Sequence, residues 1–147
     1  MKPILIVYCS LSGNTKAAAE AVAEGARAAG APVALKTACE AHTADLLECG
    51  AAAFGSYDAF SYMGGALKDF FDRTYYPTQD KVAGRPYAAF VTHGGGGRAA
   101  QSIESVAASF KLKPASPAVL VKGRPRGASL DALRALGAQL AEAARAG

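Results

Sequence analysis

The sequence predicts an α/β fold: a parallel β-sheet covered by helices on both faces. Two observations carry this. Five short apolar runs recur along the 147 residues, and each is followed by a segment with helical patterning, so strand and helix alternate in one uninterrupted pass. The first run, Ile4 to Tyr8, is continuous and β-branched rather than alternating, as a strand buried on both faces requires. A chain of this length is expected to form one domain, residues 1–147, burying about two-thirds of its unfolded surface around a single core.

The elements follow in order. After the strand 4–8, Asn14 to Ala29 is Ala-rich with Glu20 and Glu24 on its polar side, and Gly30 stops it. Val33, Leu35 and Thr37 alternate with Ala34 and Lys36, the pattern of an edge strand exposed on one face. Thr43 to Glu48 reads as a short helix and Ala51 to Gly55 as the third strand. Gly65 to Tyr75 is helical, with Leu67, Phe70 and Phe71 facing inward. Pro86 to Thr92 is the fourth strand, Arg98 to Phe110 its helix, and Ala118 to Val121 the fifth strand. Ser129 to Ala146 closes the chain on an apolar face of Leu130, Leu133, Leu136 and Leu140.

Composition removes several classes. With 51% hydrophobic and 19% charged residues the chain lies far from the disordered regime. The longest apolar runs are too short to span a bilayer. A strand-like run follows Met1 at once, so no signal peptide is expected. Cys9, Cys39 and Cys49 are odd in number and lack CxxC or metal-type spacing. That pattern points to a reducing cytoplasm, and to neither a disulfide framework nor a bound metal. Charge is uneven: residues 1–80 hold six Lys/Arg against nine Asp/Glu, whereas residues 81–147 hold ten against three. No aromatics interleave Lys122, Arg124 and Arg126, which argues against nucleic acid. The basic half reads either as a solvated face or as a surface for an anionic partner or cosubstrate.

In parallel sheets of this kind ligands bind beyond the carboxyl ends of the strands. The loops after strands one, three and four are rich in small and polar residues. Y8-C-S-L-S-G-N-T-K16 ends the first strand and opens a helix. Backbone NH groups there have no intrahelical partner and sit at the positive pole of the helix dipole. The side chains of Ser10, Ser12, Asn14 and Thr15 add donors, and Gly13 permits a tight turn. One helix cap needs one such residue; five small or polar residues among the six from Ser10 to Thr15, Gly13 included, favour a phosphate held by neutral dipoles. A Walker A loop is excluded by the order Gly13-Asn14-Thr15-Lys16. A tyrosine phosphatase would need an arginine about six residues after Cys9, where Thr15 stands. A receiver domain would need acids where Tyr8 and Cys9 stand.

The stretch Ser10 to Thr15 resembles the phosphate-binding loop of flavodoxins, [ST]-x-[ST]-G-x-T. G55-S-Y-D-A-F-S-Y-M-G-G65 with A-L-K-D-F-F-D-R73 is similar to a second stretch of flavodoxins and flavodoxin-like reductases, and the resemblance runs over the whole chain. It implies a three-layer sandwich with a five-stranded parallel sheet of order 2-1-3-4-5. It also implies FMN, with Ser10, Ser12, Gly13, Asn14, Thr15 and the backbone NH of Leu11 on its phosphate. Ser56, Tyr57, Asp58, Ala59, Phe60 and Met63 are the implied ring-side contacts, with Phe60 and Met63 as the apolar wall and Tyr57 or Tyr62 as lesser candidates. Tyr57 replaces the usual Pro, and Ala59 stands where an aromatic is common. After the fourth strand, Thr92, His93, Gly94, Gly95, Gly96 and Gly97 would meet the pyrimidine edge. His93 reads either as a donor to the flavin or as an ordinary hydrogen-bonded histidine. Gly94, Gly96 and Ala99 also satisfy G-x-G-x-x-A, but no acidic residue follows at dinucleotide spacing.

The resemblance implies electron transfer, with the chemistry carried by the cofactor and no catalytic side chain. One expectation is a cytoplasmic carrier docking a redox partner protein. The alternative is an FMN-dependent NAD(P)H:quinone reductase, favoured by a Gly-rich loop without an aromatic over the ring. A scaffold that has lost its cofactor is a third reading. Association of identical chains is left open.

Overall fold

The computed structural model describes residues 1–147. The elements are β1 (Ile4–Tyr8), α1 (Asn14–Ala28), β2 (Val33–Thr37), α2 (Thr43–Glu48), β3 (Ala51–Ala59), β4 (Tyr62–Met63), α3 (Gly65–Thr78), β5 (Pro86–His93), α4 (Ala99–Ser109), β6 (Lys113–Pro114), β7 (Val119–Lys122) and α5 (Ala128–Ala146). The sheet runs β2-β1-β3-β5, all parallel, and both β6 and β7 pair with the far edge of β5. This is the three-layer α/β sandwich with the expected order. The fifth strand differs in being split: β6 meets Pro86 and Tyr87, while β7 meets Phe90 to His93. Pro114 and Pro117 lie in and after β6, and neither has an NH to give to a ladder.

Strand alternation builds two separate cores. Leu5 and Val7, Ala52 and Phe54, and Tyr87, Ala89 and Val91 face the layer of α2, α3 and α4. Ile4 and Ile6, Ala51 and Ala53, and Ala88 and Phe90 face α1 and α5. The first layer is aromatic: Phe54 packs edge-on to Phe71 at 4.9 Å, and Phe71 meets Phe110 at 5.5 Å. The second is small. Ala18, Ala19, Val22 and Ala26 of α1 meet Leu133, Leu136, Leu140 and Ala141 of α5, so the helices come into backbone contact. At that crossing a Cβ on Gly25 would strike the carbonyl of Arg134, and one on Gly137 the carbonyl of Val22.

Several boundaries move for stated reasons. β2 is an edge strand, but all five of its residues are half-buried, with Ala34 packed on one core and Val33 and Leu35 on the other. β3 continues to Ala59, four residues past Gly55, because β5 pairs with it through Tyr57 and β4 turns back on Asp58 and Ala59. α3 continues through Thr78. Pro77 falls in its last turn, and the Thr78 hydroxyl donates to the Thr74 carbonyl at 2.7 Å. No helix is long and apolar enough to cross a membrane.

Candidate functional site

The carboxyl ends of β1, β3 and β5 bring three loops to one edge of the sheet. Ser12 and Asn14 from the first, Tyr57 and Asp58 from the second, and Thr92, His93 and Gly94 from the third line a single open cleft of about 190 Å³. All three loops singled out in the sequence therefore contribute to one site.

The first loop turns on Gly13, whose φ of 96° is left-handed, and releases the chain into α1. Ser10, rather than Ser12 or Asn14, caps this helix: its hydroxyl oxygen accepts the NH groups of Gly13 at 3.2 Å and Lys16 at 3.3 Å. An oxygen thus already occupies the mouth of the turn. The NH groups of Leu11, Ser12, Asn14 and Thr15 have no acceptor within the protein. Four free donors at the positive end of a fifteen-residue helix fit a phosphate. Thr15 itself is buried, and its hydroxyl pairs with that of Thr92 at 2.7 Å, tying α1 to β5 beneath the loop.

In the second loop the side chains divide. Ser56 is fully buried: its hydroxyl donates to the Tyr57 carbonyl at 2.6 Å and accepts the Gly64 NH at 2.8 Å. The Cys9 thiol donates to the same oxygen at 3.5 Å. Ser56 therefore shapes the loop. Met63 is 2% exposed, part of the aromatic core, with its NH bound to the Ser102 hydroxyl. Phe60 is fully exposed at the tip of the β3–β4 hairpin, where Phe60 and Ser61 hold φ values of 54° and 68°. Tyr57 enters the cleft, pressed against Gly64 so closely that a Cβ there would come within 2.7 Å of its ring. Ala59 is used in the ladder opposite Tyr62.

Asp58 joins the second loop to the third. Its Oδ2 accepts the NH groups of Gly97 at 2.7 Å and Arg98 at 3.2 Å, capping α4 from a distance. This role was missed in the sequence. The available signal is that G94-G-G-G-R-A-A100 opens a helix with no Ser, Thr, Asp or Asn of its own to cap it. The other oxygen of Asp58 and Nδ1 of His93 are buried without partners, and both residues line the cleft. Gly94 and Gly95 face open space, as a loop that approaches a flat ligand requires. Gly97 is buried.

Burial pushes the Cys9 thiol above its ordinary value, with the Ser56 hydrogen bond offsetting part of the effect, so it stays protonated. Burial also raises Tyr57. The rest of the 55–73 stretch is structural. Lys68 pairs with Asp72, and Arg73 reaches the carbonyls of Ala38 at 2.7 Å and Ala41 at 3.1 Å, latching the turn after β2.

Fold and site together define an open parallel α/β domain with a turn of four unpaired backbone NH groups beside a glycine-lined cleft. No family model matches the sequence. A flavodoxin of Aquifex aeolicus is 37% identical over 98 residues, covering 66% of this chain and 53% of that protein. An NAD(P)H dehydrogenase (quinone) of Archaeoglobus fulgidus is 33% identical, covering 50% of this chain and 52% of that one. The chain thus spans about half the length of these curated relatives. A solved flavodoxin from the domain Archaea superposes with a TM-score of 0.90 at 27% identity, over 97% of this chain and 99% of that one. In sequence and in structure the chain is similar to members of the flavodoxin family.

Proposed function

We propose that this chain binds FMN noncovalently and acts as an electron-transfer protein of the flavodoxin type. The observation that carries the reading is the convergence of three loops on one cleft whose first wall offers four unpaired backbone NH groups. In this reading Leu11, Ser12, Asn14 and Thr15 hold the phosphate through their NH groups, with the side chains of Ser12 and Asn14 beside them. The Ser10 hydroxyl keeps the turn open as a cap. Tyr57 and Phe60 flank the ring on the hairpin side, and His93 to Gly96 meet its polar edge. The orphaned Asp58 oxygen and His93 nitrogen support a polar ligand there, since buried polar atoms ordinarily have partners. When bound, FMN supplies the one- and two-electron chemistry, while the chain binds it, orients it and limits its contact with water.

A second reading, an NAD(P)H:quinone reductase, is favoured by the similarity to the Archaeoglobus protein and by the open space over Gly94 and Gly95. The carrier is preferred because the superposition with the archaeal flavodoxin leaves almost no part of either chain unmatched.

The test is a visible absorption spectrum after the protein is mixed with FMN and freed of excess. Retained flavin bands that do not bleach on anaerobic addition of NADPH support the carrier. Rapid bleaching transfers the assignment to the reductase. Loss of all flavin removes both.

A further inference from the structure

A fourth loop shares the edge that carries the cleft. β7 ends beside β5, with Lys122 opposite His93, and the Gly123 NH donates to the His93 carbonyl at 2.9 Å. The segment Gly123-Arg124-Pro125-Arg126-Gly127 then leads into α5. Its shape is fixed. Gly123 and Gly127 hold φ values of 74° and 53°, Pro125 is buried, and the Ser129 hydroxyl both accepts the Arg126 NH and donates to its carbonyl. Lys122, Arg124 and Arg126 stand out from this frame into solvent, with Arg98 of the neighbouring loop exposed as well.

None of these four cations takes part in an ion pair. Asp58 keeps its negative charge while it accepts the Gly97 and Arg98 NH groups, and Asp131 lies 3.5 Å from Arg134. Four unpaired cations against one such carboxylate leave the edge net positive beside the cleft. None of the five principal cavities is lined by Arg98, Lys122, Arg124 or Arg126. A cationic rim with no pocket fits an extended surface better than a small nucleotide. Leu120, half-exposed and packed against Gly97, adds an apolar patch within it, the mixture that protein docking sites show.

We propose that Arg98, Lys122, Arg124 and Arg126 form the docking surface for a redox protein whose electron-exchange face is acidic, a proposal that rests on the FMN reading above. Charge complementarity steers the encounter and sets the partner's orientation, with the cleft between the hairpin tip and the rim turned toward the incoming redox centre.

The experiment uses the FMN-loaded full chain, chemically reduced and freed of reductant. It is mixed in stopped flow with ferric cytochrome b5, an acidic haem protein, or ferric cytochrome c, a basic one. Each haem takes one electron, so two are reduced per flavin oxidised, and the flavin protons pass to water. The expected result is a rate with cytochrome b5 that falls about tenfold or more as salt rises from about 10 mM to about 300 mM. With cytochrome c the rate should hold or rise. The double variant Arg124→Glu/Arg126→Glu should retain flavin, which shows that it folds, and should lose the salt dependence with cytochrome b5. Faster low-salt reaction with cytochrome c, or a double variant with wild-type rates, overturns the proposal while leaving the FMN reading intact. NADPH oxidation lost in the double variant with unchanged cytochrome b5 rates also overturns it, assigning the rim to a nucleotide phosphate. Failure to load flavin removes the redox reading and this proposal together.

Discussion

The hydroxyls of Thr15 and Thr92 meet at 2.7 Å in the interior, seventy-seven residues apart, under the loop that opens α1. One hydroxyl donates to the other, and both residues are buried. Thr92→Val removes one member and strands the other, at a cost of about 1–3 kcal/mol. The double variant Thr15→Val/Thr92→Val leaves no orphan and should recover much of that loss. Urea unfolding of the two singles and the double closes the cycle; strictly additive losses would mean that the pair is not coupled.

Phe60 and Ser61 occupy left-handed backbone positions that cost a side-chain-bearing residue about 1 kcal/mol or more each. Phe60 buries nothing in return, since it is fully exposed. Phe60→Gly should therefore stabilise the flavin-free protein, by up to about 1 kcal/mol, less the entropy that glycine adds to the unfolded chain. The same change should weaken FMN retention if the ring leans on this side chain. Stability and affinity moving in opposite directions, read by urea unfolding and fluorescence titration, is the expected signature.

The three thiols are unequal. Cys9 and Cys49 are buried, and burial pushes both thiols up, while Cys39 is exposed. Only the thiolate attacks an alkylating agent, and only where the agent can reach it. Brief iodoacetamide treatment of the native protein near pH 8 should give a single adduct at Cys39, and denaturant should expose all three to it. Mass spectrometry of the intact protein and its peptides reads this directly. Native labelling at Cys9 would show that the first loop opens readily.

Asp45 closes the capping box of α2, accepting the His42 NH at 2.8 Å while the Lys36 ammonium lies 2.8 Å away. Partial burial alone would raise this carboxyl, but those two contacts outweigh it and hold it below the ordinary range. A carboxyl depressed in the folded state contributes stability that is present above its unfolded value of about 3.9. That contribution is lost as pH falls through the lower, folded value. Acidification below about pH 4 should therefore shift the urea midpoint downward more steeply in the wild type than in Asp45→Asn. Identical acid limbs would remove Asp45 from the account.

The alternation of runs and helices made the sandwich legible in the sequence, because the continuous apolar runs of β1, β3 and β5 mark strands buried on both faces. The turn of free donors after β1 was legible too, through its excess of small polar residues. The β3–β4 hairpin was not. Its turn, Phe60-Ser61, has none of the Asn or Gly that left-handed turns usually carry, so Gly55 looked like the end of the strand. That misplacement put Met63 in the loop when it belongs to the core. Ser56 and Asp58 lie in the stretch that carries the resemblance. The Ser56 hydroxyl and one oxygen of Asp58 also serve backbone groups eight and about forty residues away, which no local pattern displays.

The bare backbone crossing at Gly25 and Gly137 has a mechanical consequence. One of the two helices begins at the Ser10–Thr15 turn, the other at the cationic loop. Where the two glycines meet the opposing carbonyls there is no side chain to compress and no rotamer to flip, so the helices behave as the riveted arms of a calliper. The spacing between the turn and the cationic loop is then built into the scaffold, and Gly25→Ala would spread the jaws.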